Sequence, residues 1–174
     1  MRKILLLLCL VLAPVAGFAG PPGNAFCGLM QMPPEQLSYV SRGFSRFHSG
    51  VDLMAPYGSP IRAAAAGTVV YVGWYFAYGK IVDIRHADGV ITRYAHMSAF
   101  APGLGSDTQV AAGEVIGQVG MTGRAHGAHV HFEVRIDGRA VDPKPYLALA
   151  PCPDAAPQDA LEEASAPEPK RARR

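Results

Sequence analysis

Nowhere in this chain do apolar residues recur at helical spacing for more than about three turns. Its apolar runs are short, rich in Val, Ile and Tyr, and cut by 19 glycines and 15 prolines. A helical core is thereby excluded, and the chain reads as all-β with short strands. The clearest run is Gly127-Ala128-His129-Val130-His131-Phe132-Glu133-Val134-Arg135. Alternate side chains of a strand share a face. His129 and His131 therefore present both imidazoles to one surface, while Val130, Phe132 and Val134 enter the packing on the other. Taken alone, His-x-His is also the pattern of two ordinary, partly exposed strand histidines, so its partners decide the matter.

The first partner is Phe47-His48-Ser49-Gly50-Val51-Asp52, with a histidine and a carboxylate four apart. Gly50 and nearby Pro56 argue against a helix there, and in extended backbone positions i and i+4 again face the same way. The second is Tyr94-Ala95-His96. Two imidazoles and a carboxylate, with one coordination place left for water, form the ligand set of a catalytic zinc; a structural zinc is closed by four protein ligands.

In that order, His48-x-x-x-Asp52, Tyr94-x-His96 and His129-x-His131 resemble the lysostaphin-like, LytM-type zinc endopeptidases, the M23 peptidase family, over about residues 41 to 146. The resemblance implies His48, Asp52 and His131 as zinc ligands and His96 and His129 as catalytic histidines; spacing by itself does not choose between His129 and His131 as the ligand. It also implies the fold, a mainly antiparallel, distorted β-sandwich built on a duplicated motif with a loop-lined groove, and the substrate, the peptide part of peptidoglycan. One element departs from the family pattern. Ser41-Arg42-Gly43-Phe44-Ser45-Arg46 is similar to the family's Phe-Gly-x-Arg, but Ser45 stands where that motif has glycine, and only Phe47 separates Arg46 from His48.

The chain ends differ from its middle. Met1 to Ala19 carries Arg2 and Lys3, an apolar run from Ile4 to about Val15, and Gly17-Phe18-Ala19 as a small-x-small cleavage site. This reads as a signal peptide, too short in its apolar run to span a membrane. Cys9 lies within that run, and Leu8 before it does not suit a lipoprotein cleavage site. The expected product is an exported monomer that does not span the membrane, placed in the periplasm or outside the cell. Cys27 and Cys152 then remain, one at each end of the domain, and in an oxidising compartment they are expected to form a disulfide. The competing reading makes Cys27 a thiolate latch on the open zinc position. Residues 20 to 40 form an irregular lead-in, with one helical turn expected at Pro34 to Val40, residues 41 to 150 form the peptidase domain, and residues 151 to 174 form a disordered tail of Asp, Glu, Ala and Pro ending in Lys170-Arg171-Ala172-Arg173-Arg174. Of 16 Lys and Arg, two lie in the leader, leaving fourteen against 14 Asp and Glu. That balance leaves no nucleic-acid footprint.

Within the domain, residues 66–76, 80–86 and 90–97 read as strands, the last two joined by a hairpin at Ala87-Asp88-Gly89. His86 beside this turn is expected as a surface or turn residue and not as a ligand. Thr92, Tyr94 and His96 are expected to share a face, so the Tyr94 hydroxyl either orients His96, contacts substrate, or belongs to a ring that simply packs. Ala66-Gly67-Thr68-Val69-Val70 is echoed by Ala112-Gly113-Glu114-Val115-Ile116, which suggests a duplicated β architecture. Gly117, Gly120, Gly123 and Gly127 make a loop with little bulk that would let an extended peptide pass the metal, and His126 within it reads as a solvated loop residue. Glu133 faces the same side as the His-x-His pair and is either a hydrogen-bond partner of a ligand imidazole or a surface carboxylate.

A bound zinc would lower the pKa of water and polarise a carbonyl, and a neighbouring histidine would move the proton. With no His-Glu-x-x-His helix, a glutamate base of that type is excluded. The expected function is hydrolysis of peptidoglycan cross-links or bridges. Two rivals are a LytM-type activator of a cell-wall amidase, in which metal ligands are typically lost, and a zinc-dependent wall-binding module without turnover.

Overall fold

The computed structural model describes residues 28–150. The expected signal peptide, the Cys27–Cys152 disulfide, the alternative Cys27 latch and the tail from Pro151 lie outside these residues. Eleven short strands follow in order: β1 (Tyr39–Arg42), β2 (Val51–Met54), β3 (Pro60–Arg62), β4 (Gly67–Trp74), β5 (Lys80–Arg85), β6 (Ile91–Ala95), β7 (Ala99–Phe100), β8 (Gln109–Val110), β9 (Val115–Gln118), β10 (His129–Ile136) and β11 (Arg139–Val141). Among the described residues there is no α-helix, only single 3-10 turns at Phe76–Tyr78 and Ala87–Gly89. None of the described helices is long and apolar enough to cross a membrane.

All pairings are antiparallel. One sheet runs β1-β2-β10-β6-β5-β4-β8, with β11 also on β10, and a second runs β3-β9-β7. Ile61 and Ile116 of the small sheet join Leu53, Val82, Ile84, Tyr94 and Phe132 of the large one in a single core. Burying a side chain such as Leu53 or Phe132 contributes about 1.5–3 kcal/mol. The fold is thus all-β, as the short strands imply, and is the mainly antiparallel sandwich that the family resemblance implies. The two echoed Ala-Gly-x-Val segments fall in different sheets: Gly67 lies in β4 opposite Val110, whereas Gly113 sits before β9 with a φ of 78°.

β10 organises the large sheet because it pairs on both edges. His131 stands opposite Asp52 of β2 and opposite Ala95 of β6. Its alternation is kept in full: Val130, Phe132 and Val134 enter the core, and His129, His131 and Glu133 line the other face. Glycine is required where the chain crosses this strand. A Cβ on Gly50 would collide with the Phe132 carbonyl, and one on Gly120 with the backbone of His96 and Ser98. The glycines before β10 are largely used in this way. Gly117, Gly120 and Gly123 each lie against this chain's own backbone, which replaces the reading of an open passage for substrate.

Several local expectations are corrected. The stretch Pro34 to Val40 has no helical turn; Pro34 bridges Ile61, the Ser38 N–H donates to the Met54 carbonyl, and β1 begins at Tyr39. The consecutive prolines Pro33 and Pro34 favour extended backbone before them and supply no N–H. The residues before β1 also reach the core, where Met30 is buried.

His86 is not at the surface. It is 5% exposed, its Nδ1–H donates to the Ala66 carbonyl at 2.8 Å, and its Nε2 meets the Thr92 hydroxyl at 2.7 Å. Burial lowers its pKa, so the ring is neutral and serves as a structural cross-link. Thr92 and Tyr94 then hydrogen-bond each other at 2.9 Å, and the Ala64 N–H donates to the Tyr94 hydroxyl at 2.8 Å. The Tyr94 ring packs on Phe132, 5.3 Å between centroids, and burial pushes its hydroxyl up to about 12. Tyr94 therefore packs and does not orient His96. Replacing Tyr94 by Phe should strand the Ala64 N–H and cost about 1–3 kcal/mol in urea denaturation, with bound metal unchanged. An unchanged unfolding midpoint together with lost metal would assign the hydroxyl to the site instead.

Candidate metal centre

Three side chains converge where β2 faces β10. Asp52 lies directly across from His131, and His48 reaches the same point from the segment before Gly50. The Asp52 Oδ1 is 3.0 Å from His48 Nε2 and 2.8 Å from His131 Nδ1, and the two nitrogens are 3.0 Å apart. Both rings are pinned from behind. His48 Nδ1–H donates to the Gly43 carbonyl at 2.9 Å, and His131 Nε2–H donates to Glu133 Oε1 at 3.1 Å. With those protons committed, each neutral ring turns its lone-pair nitrogen toward the other and toward the carboxylate. An N,N,O set of this kind suits a cation such as zinc, with a coordination place remaining for an oxygen ligand.

The electrostatics agree. Burial opposes a charge on His131, but hydrogen bonds to Asp52 and Glu133 outweigh it and raise its pKa. Burial would likewise raise the Asp52 pKa, yet the His131 hydrogen bond and the neighbouring histidines hold it below the ordinary carboxylate value. The pocket is built to hold positive charge, and a metal and a proton compete for the same nitrogen.

Glu133 is fully buried, at 0% exposure. Its Oε1 accepts from His131, from the Ser49 hydroxyl and from the Tyr78 hydroxyl, and its Oε2 accepts from Arg135 at 2.6 Å. Burial would raise its pKa, but these four donors carry it down to about 2. The partner reading of Glu133 therefore holds and the surface reading falls. Ser49 and Arg135 were readable in principle, as the neighbour of His48 and the i+2 residue on the face of Glu133. Tyr78 has no such signal, because it arrives through the 3-10 turn between β4 and β5.

His96 reaches the site by breaking its strand. Regular alternation would send it into the core with Tyr94, but its φ of 62° turns it to the opposite face. That strained conformation is held by its N–H to the Tyr78 carbonyl at 3.0 Å and by Nδ1–H to the Thr122 carbonyl at 2.7 Å. The ring lies 4.7 Å from that of His129, whose Nδ1–H donates to the Gly127 carbonyl at 2.9 Å and whose Nε2 is 3.7 Å from Asp52 Oδ1. All five expected residues thus line one cleft of about 480 Å³. His126 is exposed and lines the same cleft, whereas His86 does not line it and is buried beside Thr92. The shortened segment before His48 closes as a tight turn, with paired Ser45 and His48 backbone bonds of 2.9 and 3.0 Å and Phe47 projecting outward.

Residues 46–143 match the model of peptidase family M23. The chain belongs to that family. Over 98 residues it is 51% identical to the DD-carboxypeptidase/endopeptidase Mpg of Neisseria meningitidis, covering 56% of this chain and 22% of the relative. It therefore spans about a fifth of the length of that M23 relative. Among solved structures, a zinc-containing peptidase of Vibrio cholerae superposes with a TM-score of 0.62 at 26% identity, covering 70% of this chain and 40% of the other. The catalytic domain of lysostaphin from Staphylococcus simulans superposes with a TM-score of 0.59 at 27% identity, covering 63% and 92%.

Burial, with the neighbouring histidines adding to it, carries His96 from the ordinary 6.5 down to about 4. Folding thus favours the neutral ring: the associated stability is complete above the ordinary value and is lost as the pH falls toward the folded one, because the unfolded chain binds the proton first. An NMR titration of this imidazole in chelator-treated protein should show a midpoint well below 6.5, near 4. A midpoint at or above the ordinary value would contradict the burial of the ring as the governing cause.

Proposed function

We propose that this M23 chain is an exported, zinc-dependent endopeptidase that hydrolyses peptide cross-links or bridges of peptidoglycan. Its peptidase unit spans residues 41 to 150, His48, Asp52 and His131 hold the metal, and His96 and His129 act on the reacting atoms. The observation that carries this reading is the convergence of two pinned lone-pair nitrogens and a carboxylate oxygen within 3.0 Å, next to two further imidazoles. The Neisseria relative's name supports peptidoglycan as the target, and the zinc-containing Vibrio structure supports the metal.

Zinc held there supplies Lewis acidity and makes water a nucleophile near neutral pH. The residues supply the rest. His129 turns Nε2 toward the donor set, the position from which an imidazole accepts a proton from the attacking water and returns it to the departing amine. His96, kept neutral by burial, offers its Nε2 to accept a hydrogen bond from the water or a substrate N–H. Glu133 keeps His131 oriented and basic through Nε2, and Ser49, Tyr78 and Arg135 keep Glu133 charged. A LytM-type amidase activator needs none of this, and the presence of all five side chains in one cleft favours turnover.

Changing Asp52 to Ala should remove most of the bound zinc, measured by metal analysis after gel filtration; stoichiometric zinc in that variant would reject the ligand set. Changing His129 to Ala should keep the zinc and lower the hydrolysis of purified sacculi by about two to four orders of magnitude. Near-normal turnover with zinc bound would remove His129 from the chemistry.

A further inference from the structure

The cleft carries a charge that the metal and histidine chemistry does not use. Two arginines line it, Arg42 and Arg124, and among the described residues that line it the one acid is Asp52, which is already engaged by His48 and His131. Of the other arginines, Arg93 pairs with Asp83, Arg135 with Glu133 and Arg62 with Glu35, and Arg46, which takes part in no described ion pair, is not among the residues lining this cleft. Arg42 and Arg124 take part in no described ion pair. Arg42 gives one N–H to the Phe47 carbonyl at 3.2 Å, and Arg124 is fastened only through its backbone N–H, to the Ala77 carbonyl at 2.7 Å.

Their placement makes them a pair of clamps rather than a patch. Arg42 ends β1 and stands opposite Asp52, one strand outward from the donor set. Arg124 is tied to the β4–β5 connection, on the other flank, because β10 and β6 lie between β2 and β5 in the sheet. A peptide laid from the β1 edge toward the β4–β5 connection would have a guanidinium on each side of the centre. Two imidazoles and a single carboxylate leave a divalent metal with surplus positive charge as well. A cleft in which one sign of charge prevails selects ligands of the opposite sign, and a guanidinium recognises a carboxylate through paired N–H donors.

Resting on the peptidase reading above, we infer that the substrate is an acidic peptide carrying a free carboxylate on each side of the scissile bond, recognised by Arg42 on one flank and Arg124 on the other. Neutral bridges, such as glycine chains, would leave both guanidinium groups without an anion. Arg42 and Arg124 are then specificity residues, separate from the groups that hold metal or move protons.

The test uses the full chain with zinc and a cross-link peptide whose scissile amide is replaced by a non-hydrolysable methyleneamino group, prepared with free carboxylates and with both amidated. Calorimetric titration should show the acidic form binding about tenfold or more tightly than the amidated one, with the gap closing as salt is added. Arg42→Gln and Arg124→Gln should each reduce that gap while leaving the affinity for the amidated peptide unchanged. Equal affinity of the native chain for the two forms would overturn the inference, as would variants that weaken both forms alike, the result expected of a structural role. Hydrolysis of sacculi run in parallel separates the two claims. Digestion without a charge preference keeps the peptidase and rejects the clamps; a charge preference without digestion does the reverse.

Discussion

The hydrogen bond from His131 to Glu133 is the interaction on which the site depends, and it survives only because a carboxylate has been buried whole inside the large sheet. An ionised carboxyl with no exposed surface is costly unless its lone pairs are met. Here His131, Ser49, Tyr78 and Arg135 meet them. The four donors come from three parts of the chain: His131 and Arg135 from β10 itself, Ser49 from the segment before β2, and Tyr78 from the β4–β5 turn. The buried charge thereby draws together the elements that form the cleft, and the tautomer it imposes on His131 directs Nδ1 toward Asp52.

A further ring of contacts keeps those donors in place. Arg93 forms a two-pronged ion pair with Asp83, at 2.8 and 2.7 Å, on the face that also carries Glu133. Its guanidinium lies 4.8 Å from the Tyr75 ring and 5.1 Å from the Tyr78 ring, contacts that are favourable when partly desolvated. The turn that delivers the Tyr78 hydroxyl to Glu133 also gives its carbonyl to the His96 N–H. One turn therefore serves both the His131–Glu133 side and the His96 side of the cleft, which explains why His96 can be held in a backbone conformation that a histidine rarely adopts.

The cleft is shaped as much by what is small as by what is reactive. Gly120 and Gly123 bring the segment before β10 against His96 and Ala77 at distances a side chain would forbid. This close approach puts the Thr122 carbonyl within reach of the His96 ring and Arg124 within reach of the cleft. The abbreviated turn from Ser45 to His48 projects Phe47 outward on the opposite side, where Arg42 donates to the Phe47 carbonyl.

The strand content and the two faces of β10 were legible in the sequence, because period-two alternation is a local property of a chain, and the five residues that line the cleft were singled out by their motifs together with the family resemblance. Family M23 membership followed from the same residues. Tertiary structure alone decided which carboxylate partner Glu133 would be, since a surface strand and a buried one share the same alternation, and which donors would satisfy it, since Tyr78 comes from fifty-five positions away. It reversed the placement of His86, whose neighbours at Ala66 and Thr92 are set by the pairing of β4, β5 and β6 rather than by the adjacent turn. It also sent Tyr94 and His96 to opposite faces, because one positive φ, stabilised by contacts from Tyr78 and Thr122, overrides an alternation that the sequence by itself would continue.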